Sequence, residues 1–175
     1  MHVLYPTHRD CLAQLADLLS LLDDDMFCQP LSLLSGSSIG QHTRHIIEFY
    51  ECLNHALVQN IPVNYDARER KKQWETDRKS VLAQIPVYVR CFAQNDCKLR
   101  FCSTLNGQGT EPLLTDTSLF RELVMLIEHT THHLAIMKMA LRYHFPHLDL
   151  PDGLGVAYST RQYRDSVQVL QAEGT

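Results

Sequence analysis

The sequence predicts an all-α protein carrying one small β-hairpin. Apolar residues recur at helical spacing through four long segments. A Ser or Asp followed three residues on by Gln or Glu, the pattern that starts helices, opens two of them. Only one stretch, beginning at Lys98, alternates polar and apolar residues as a strand does.

At 175 residues the chain suits one domain, 1–175, with a proper core. Its 45% apolar and 21% charged residues are those of a globular protein, and the net charge of −4 argues against a partner bound through nucleic-acid phosphates. No apolar run is long enough for a membrane span. Met1 to Pro6 lack the charged start and apolar core of a signal peptide. Cys11, Cys28, Cys52, Cys91, Cys97 and Cys102 form no Cys-x-x-Cys pair, which reads as six reduced thiols in the cytoplasm, each a small buried hydrophobe.

The first helix is expected from about Thr7 to Asp23. Thr7 caps it, and Leu12, Leu15, Leu18, Leu19 and Leu22 lie on one face. Asp23-Asp24-Asp25 disfavours a helix C-terminus, so it marks a stop and a loop. Ser38 and Gln41 form a capping box for a second helix, which runs to about Gln59 with Ile46, Phe49, Tyr50 and Leu53 in its stripe. Asp66 and Glu69 predict a second box, opening a third helix on the solvated charge run Arg68 to Lys72. Trp74, Val81, Leu82, Ile85, Tyr88, Val89 and Phe92 face its core, and Pro86 predicts a kink or break. Lys98 to Leu105 reads as a strand, Asn106 to Gly109 as a turn, and Pro112 to Thr115 as a return strand. Thr117 caps the last long helix, about Ser118 to Tyr143, and the tail from Pro146 carries a short helix at Tyr163 to Leu170.

Five of the ten histidines fall in two clusters, one on the second of these helices and one on the last. His129 and His133 are one turn apart on the last, and His42 and His45 stand three residues apart on the second. A lone histidine on an apolar face is usually a core residue with a hydrogen bond. Two pairs on two helices point instead to a metal site. Two imidazoles from the last helix and one from the second leave an open position, which suits catalysis. The second-helix pair is ambiguous by position. His42 lies within the apolar arc and His45 on its flank, as does His129, and a site opening at the bundle end is better served by flank positions. That favours His45, with His42 behind it or as a fourth ligand. Thr130, where a zincin has its catalytic Glu, excludes that mechanism. The chain also lacks Glu-x-x-His units at Glu48, Glu51, Glu122 and Glu128, which excludes a di-iron carboxylate centre. An imidazole-rich site suits zinc, nickel or iron, and its open position suits water or a thiolate.

Ser38-Ile39-Gly40-Gln41-His42-Thr43-Arg44-His45-Ile46-Ile47, followed by His129-Thr130-Thr131-His132-His133, resembles the DinB/YfiT-like superfamily over roughly residues 8–145. Gly153 to Thr160 resembles the tail of one subgroup. The resemblance implies a four-helix bundle of up-down-down-up topology. It implies a divalent metal on His45, the histidine before the apolar pair Ile46-Ile47, and on His129 and His133. Relatives include thiol S-transferases and mycothiol-dependent isomerases, so a metal-dependent enzyme activating a low-molecular-weight thiol or water against a small-molecule substrate is expected. A non-catalytic metal-binding stress-response protein or a dimerisation module is the alternative. Arg44 and Arg68 are candidates for an anionic substrate, and Glu48, Tyr50 and Tyr65 for proton transfer. Each is more readily read as a salt bridge or packed ring, and none joins the metal ligands as a site residue. Apolar helix faces left exposed predict a homodimer.

Overall fold

A computed structural model describes residues 4–104 and 111–173. Seven helices and one hairpin follow in order: α1 (Leu4–Leu21), α2 (Asp24–Cys28), a 3-10 turn at Ser32–Leu34, α3 (Ile39–Gln59), α4 (Gln73–Thr76), α5 (Arg78–Cys91), β1 (Lys98–Ser103), β2 (Leu113–Ser118), α6 (Leu119–His144) and α7 (Tyr158–Glu173). The expected turn at Asn106 to Gly109 lies outside the described residues.

The long helices α1, α3, α5 and α6 make the bundle. Helices α1 and α3 each pack against both α5 and α6, so α1 sits diagonally across from α3 and α5 from α6. Leu4 and Tyr5 at the start of α1 share a small cleft with Phe92 at the end of α5 and with Phe120 and Leu123 at the start of α6. Helix α1 is therefore parallel to α6 and antiparallel to α5. His42 faces His133, while Tyr50 reaches Thr130, so α3 runs against α6. Gly40 meets Glu75 and Tyr50 stacks near Tyr88, so α3 runs with α5. The order is up-down-down-up. Leu12, Leu15 and Leu19, Ile46, Tyr50 and Leu53, Val81 and Ile85, and Leu126, Leu134 and Leu141 fill the core from the four helices. Among the described residues no helix is long and apolar enough to cross a membrane.

The sequence patterns hold where a local signal acts alone. Ser38 Oγ accepts the Gln41 backbone N–H at 3.1 Å and Gln41 Oε1 accepts the Ser38 N–H at 3.2 Å, closing the box that starts α3. Gly40, in its first turn, lets α4 lie close: a Cβ there would stand 2.1 Å from the Glu75 carbonyl oxygen. The strands pair antiparallel from Lys98 with Ser118 to Ser103 with Leu113. Val63 adds a bridge, donating to the Arg100 carbonyl at 2.7 Å and accepting from the Cys102 N–H at 2.8 Å.

Several boundaries differ from expectation. Helix α1 is already formed at Leu4, so Thr7 does not cap it; Pro6 fits the first turn, where no N–H is needed. Asp23-Asp24-Asp25 is a helix start rather than a loop. Asp23 accepts the Met26 N–H at 2.7 Å, and Asp24 and Asp25 lie at the positive end of α2. The box at Asp66 does not form. The Asp66 carboxylate binds the Ser103 hydroxyl and Thr104 N–H instead, Arg70 has φ +55°, and Asp77 caps α5. Pro86 does not break α5: it lies on the exposed side, and the helix continues past it to Cys91. Ser118, not Thr117, caps α6, its Oγ accepting the Arg121 N–H at 3.4 Å. The tail helix α7 is longer than the Tyr163–Leu170 segment expected.

Candidate metal centre

The capping box sets where α3 begins, and hence which way His42 and His45 face. Helix α6 presents His129 and His133 from the opposite strand of the bundle. The Tyr50 hydroxyl and Thr130 Oγ1, 3.1 Å apart in the core, tie the two helices beside these rings. The His45 ring centre lies 4.9 Å from both the His129 and His133 centres, which are 4.6 Å from each other. One ligating atom from each of the three lies within 4.8 Å of the other two.

These residues fit a divalent ion. Nitrogens about 2.0–2.1 Å from a tetrahedral zinc stand roughly 3.4 Å apart, against an outer limit of 4.8 Å among the three here. His129 Nε2 is buried and has no hydrogen-bond partner among the described residues, an arrangement costly for a polar atom unless something binds it. Burial lowers the pKa of His45 to about 4, with His129 and Arg68 adding to it. His129 falls to about 4 by burial, helped by His132 and Arg68, and His133 to about 3 by burial and four neighbouring imidazoles. All three are neutral near pH 7 and offer lone pairs.

His42 does not join this group. Its Nδ1 lies 2.9 Å from His133 Nδ1, one donating to the other. His132 is exposed and touches His133 edge-on, with ring centres 5.5 Å apart. A cleft of about 320 Å³ opens over the histidines, lined by Ser37, Gln41, His42, Arg44, His45 and His133. A larger cleft of about 380 Å³ lies against the hairpin at Ile61, Leu99 and Asp116. It gathers no histidine, cysteine or carboxylate cluster, so the smaller one is the candidate site.

Phe49 was read from the sequence only as core, yet it buttresses the centre. It stacks on His129 at 4.3 Å and meets His45 edge-on at 4.7 Å. Tyr65 stacks on Phe49 at 4.7 Å and donates its hydroxyl to Glu122 at 2.8 Å, and the Arg68 guanidinium lies 4.8 Å from the Phe49 ring centre. Glu48 is buried with Arg44 Nε at 3.5 Å and Arg68 Nε at 3.6 Å, and accepts the Lys71 N–H at 2.8 Å. Those two contacts are ion pairs and not hydrogen bonds, since neither guanidinium Nε atom makes one among the described residues. Arg44 also pairs with Glu75. Arg68 is thus no part of a solvated face. The i, i+4 interval of His45 and Phe49 was the visible signal for the buttress; the Arg68 contact had none.

No known protein family matches the chain, and no curated protein or solved structure does either. The functional reading therefore rests on the geometry of the three rings and the cleft above them.

The proton-transfer candidates are occupied elsewhere. Tyr50 is wholly buried on Thr130, and burial raises its pKa well above the usual phenol range. Tyr65 donates to Glu122, and Glu48 is held by two arginines and a backbone N–H. Of the two candidates for an anionic substrate, Arg44 lines the cleft, with its charge shared between Glu48 and Glu75, and Arg68 does not.

Proposed function

We propose that this chain is a divergent DinB/YfiT-like protein that binds one divalent metal ion through His45, His129 and His133 and works as a metal-dependent enzyme on a small polar substrate. The convergence of three neutral imidazoles on one point carries the reading. A bound zinc, nickel or iron ion supplies Lewis acidity to a thiol or water, the chemistry of thiol S-transferases and hydrolases. The chain's own part is to hold the ion with three ligands rather than four, leaving room on the cleft side for a reactant. Ser37, Gln41 and Arg44 line that side and offer donors to a polar or anionic group. Phe49 keeps His45 and His129 in place and water off their inner edges.

The six cysteines are all free thiols, in keeping with a reducing, cytoplasmic setting. Met139 and Tyr143, one turn apart and exposed on α6, favour a homodimer, which light scattering tests.

Elemental analysis of protein purified without a histidine tag tests the centre. One metal per chain is expected, lost in His45→Ala, His129→Ala and His133→Ala while helix content is kept. Retention in His45→Ala refutes the ligand set. Thiol-dependent or hydrolytic turnover of electrophilic substrates by the loaded protein separates an enzyme from a binding protein.

A further inference from the structure

We propose that His42 is the hydrogen-bond acceptor that holds His133 in the tautomer able to ligate the ion, a positioning residue rather than a fourth ligand. This rests on the three-histidine reading and adds to it the device that prepares one ligand.

The observation is the 2.9 Å separation of His42 Nδ1 and His133 Nδ1. Two ring nitrogens can approach so closely only if one carries a proton and the other a lone pair. His133 spends its Nδ1 on this bond, so Nε2 is the nitrogen left for a cation. A ligating nitrogen must present a lone pair, and a neutral imidazole carries one N–H. His133 therefore keeps its proton on Nδ1 and donates it to His42. His42 must then hold its own proton on Nε2. The reverse polarity, with His42 donating, moves the His133 proton to Nε2 and blocks the lone pair the ion needs. Both polarities satisfy the pair when the ion is absent; only one is compatible with ligation.

Three features make His42 a support and not a ligand. Its Nδ1 is engaged with His133, whereas the ligating atoms that cluster are those of His45, His129 and His133. It stands one turn before His45 on α3, directly behind the capping box that fixes where that helix starts. A fourth imidazole would also close the position that the cleft leaves open. Metal-bound histidines commonly donate their second N–H to an acceptor that orients the ring and raises its basicity, and losing that acceptor weakens metal binding about 10- to 100-fold.

Zinc affinity, measured by competition with a chromophoric chelator, tests this on the full chain. His42→Ala should bind about 10- to 100-fold more weakly than the parent. His42→Asn, whose carbonyl oxygen falls near the Nδ1 position, should stay within about threefold of it. His42→Asp should equal or exceed it. Circular dichroism checks that each variant keeps its helix content. Cobalt substituted at the centre should show visible bands of unchanged intensity in His42→Ala, because no ligand is lost. Histidine nitrogen NMR of the zinc form should place the proton of His42 on Nε2 and that of His133 on Nδ1. Parent-like affinity in His42→Ala, failure of Asn to rescue, a changed cobalt spectrum, or ligation through His133 Nδ1 would each overturn the proposal. A parent that takes up no zinc, or keeps it in His45→Ala, refutes the three-histidine centre itself. Intact binding with an indifferent His42 refutes only its positioning role.

Discussion

Replacing His8 with phenylalanine should flatten the acid side of the stability profile. His8 is fully buried in α1, its ring 5.5 Å from Tyr50 and 5.6 Å from Phe92, and neither ring nitrogen has a hydrogen-bond partner among the described residues. Burial lowers its pKa from 6.5 to about 4. The unfolded chain binds a proton at this residue below pH 6.5, and the folded chain resists doing so until about pH 4. Stability is therefore lost as the pH falls through that window, and none of this loss is present well above it. Near pH 5 the cost is about 2 kcal/mol, rising to roughly 3 kcal/mol once both states are protonated. Phenylalanine cannot titrate. Its relief of an unsatisfied ring and its larger volume act alike at every pH and cancel in the comparison. Urea unfolding near pH 7.5 and near pH 5, with a chelator present, reads the difference, and His45, His129 and His133 contribute equally to both proteins. The parent should lose about 2 kcal/mol more than His8→Phe between the two conditions. A difference below about 0.5 kcal/mol, or a His8 resonance titrating with an ordinary pKa, refutes the argument.

Zinc at about 100 times its dissociation constant should stabilise the fold by roughly 2.7 kcal/mol, raising Tm by about 5–11 °C in calorimetry, and His133→Ala should abolish the rise. Because burial holds His45 and His129 near 4 and His133 near 3, protons should compete little with the metal between about pH 8 and pH 6. Chelator competition across that range should give a nearly level affinity, falling as the pH approaches 4. Gly40→Ala should destabilise by about 1–3 kcal/mol in urea unfolding, since its Cβ would meet the Glu75 carbonyl and neither helix backbone yields easily.

The helices and hairpin were legible because each rests on a local cause. The Ser38 box, the leucine face of α1 and the alternation at Lys98 to Ser103 act within a few residues and leave a pattern in the chain. Residues 66–72 leave no such pattern because their partners are distant. Asp66 turns to Ser103 and Thr104, Arg68 to Glu48 and Phe49, and Lys71 to Glu51. Local capping chemistry loses there to burial of one carboxylate between two guanidinium groups. The acidic run at Asp23 was misread because a single position decides whether such charges end one helix or begin the next. At the centre, spacing grouped His129 with His133. The choice between His42 and His45 needed the facing helix, whose His133 engages one and clusters with the other.

Strand β2 runs into α6 with no loop between them, Ser118 being both the last strand residue and the helix cap. No slack therefore separates the hairpin's register from the phase of the helix that bears two of the three clustered histidines. Deleting one residue from Leu113 to Thr117 leaves two ways to absorb the change. The strands slip by a position and turn their faces over, or α6 rotates by about 100° and carries His129 and His133 away from α3. The base of the hairpin thus acts as an indexing key for the centre, and gains or losses of chain length at that point carry a chemical penalty as well as a structural one.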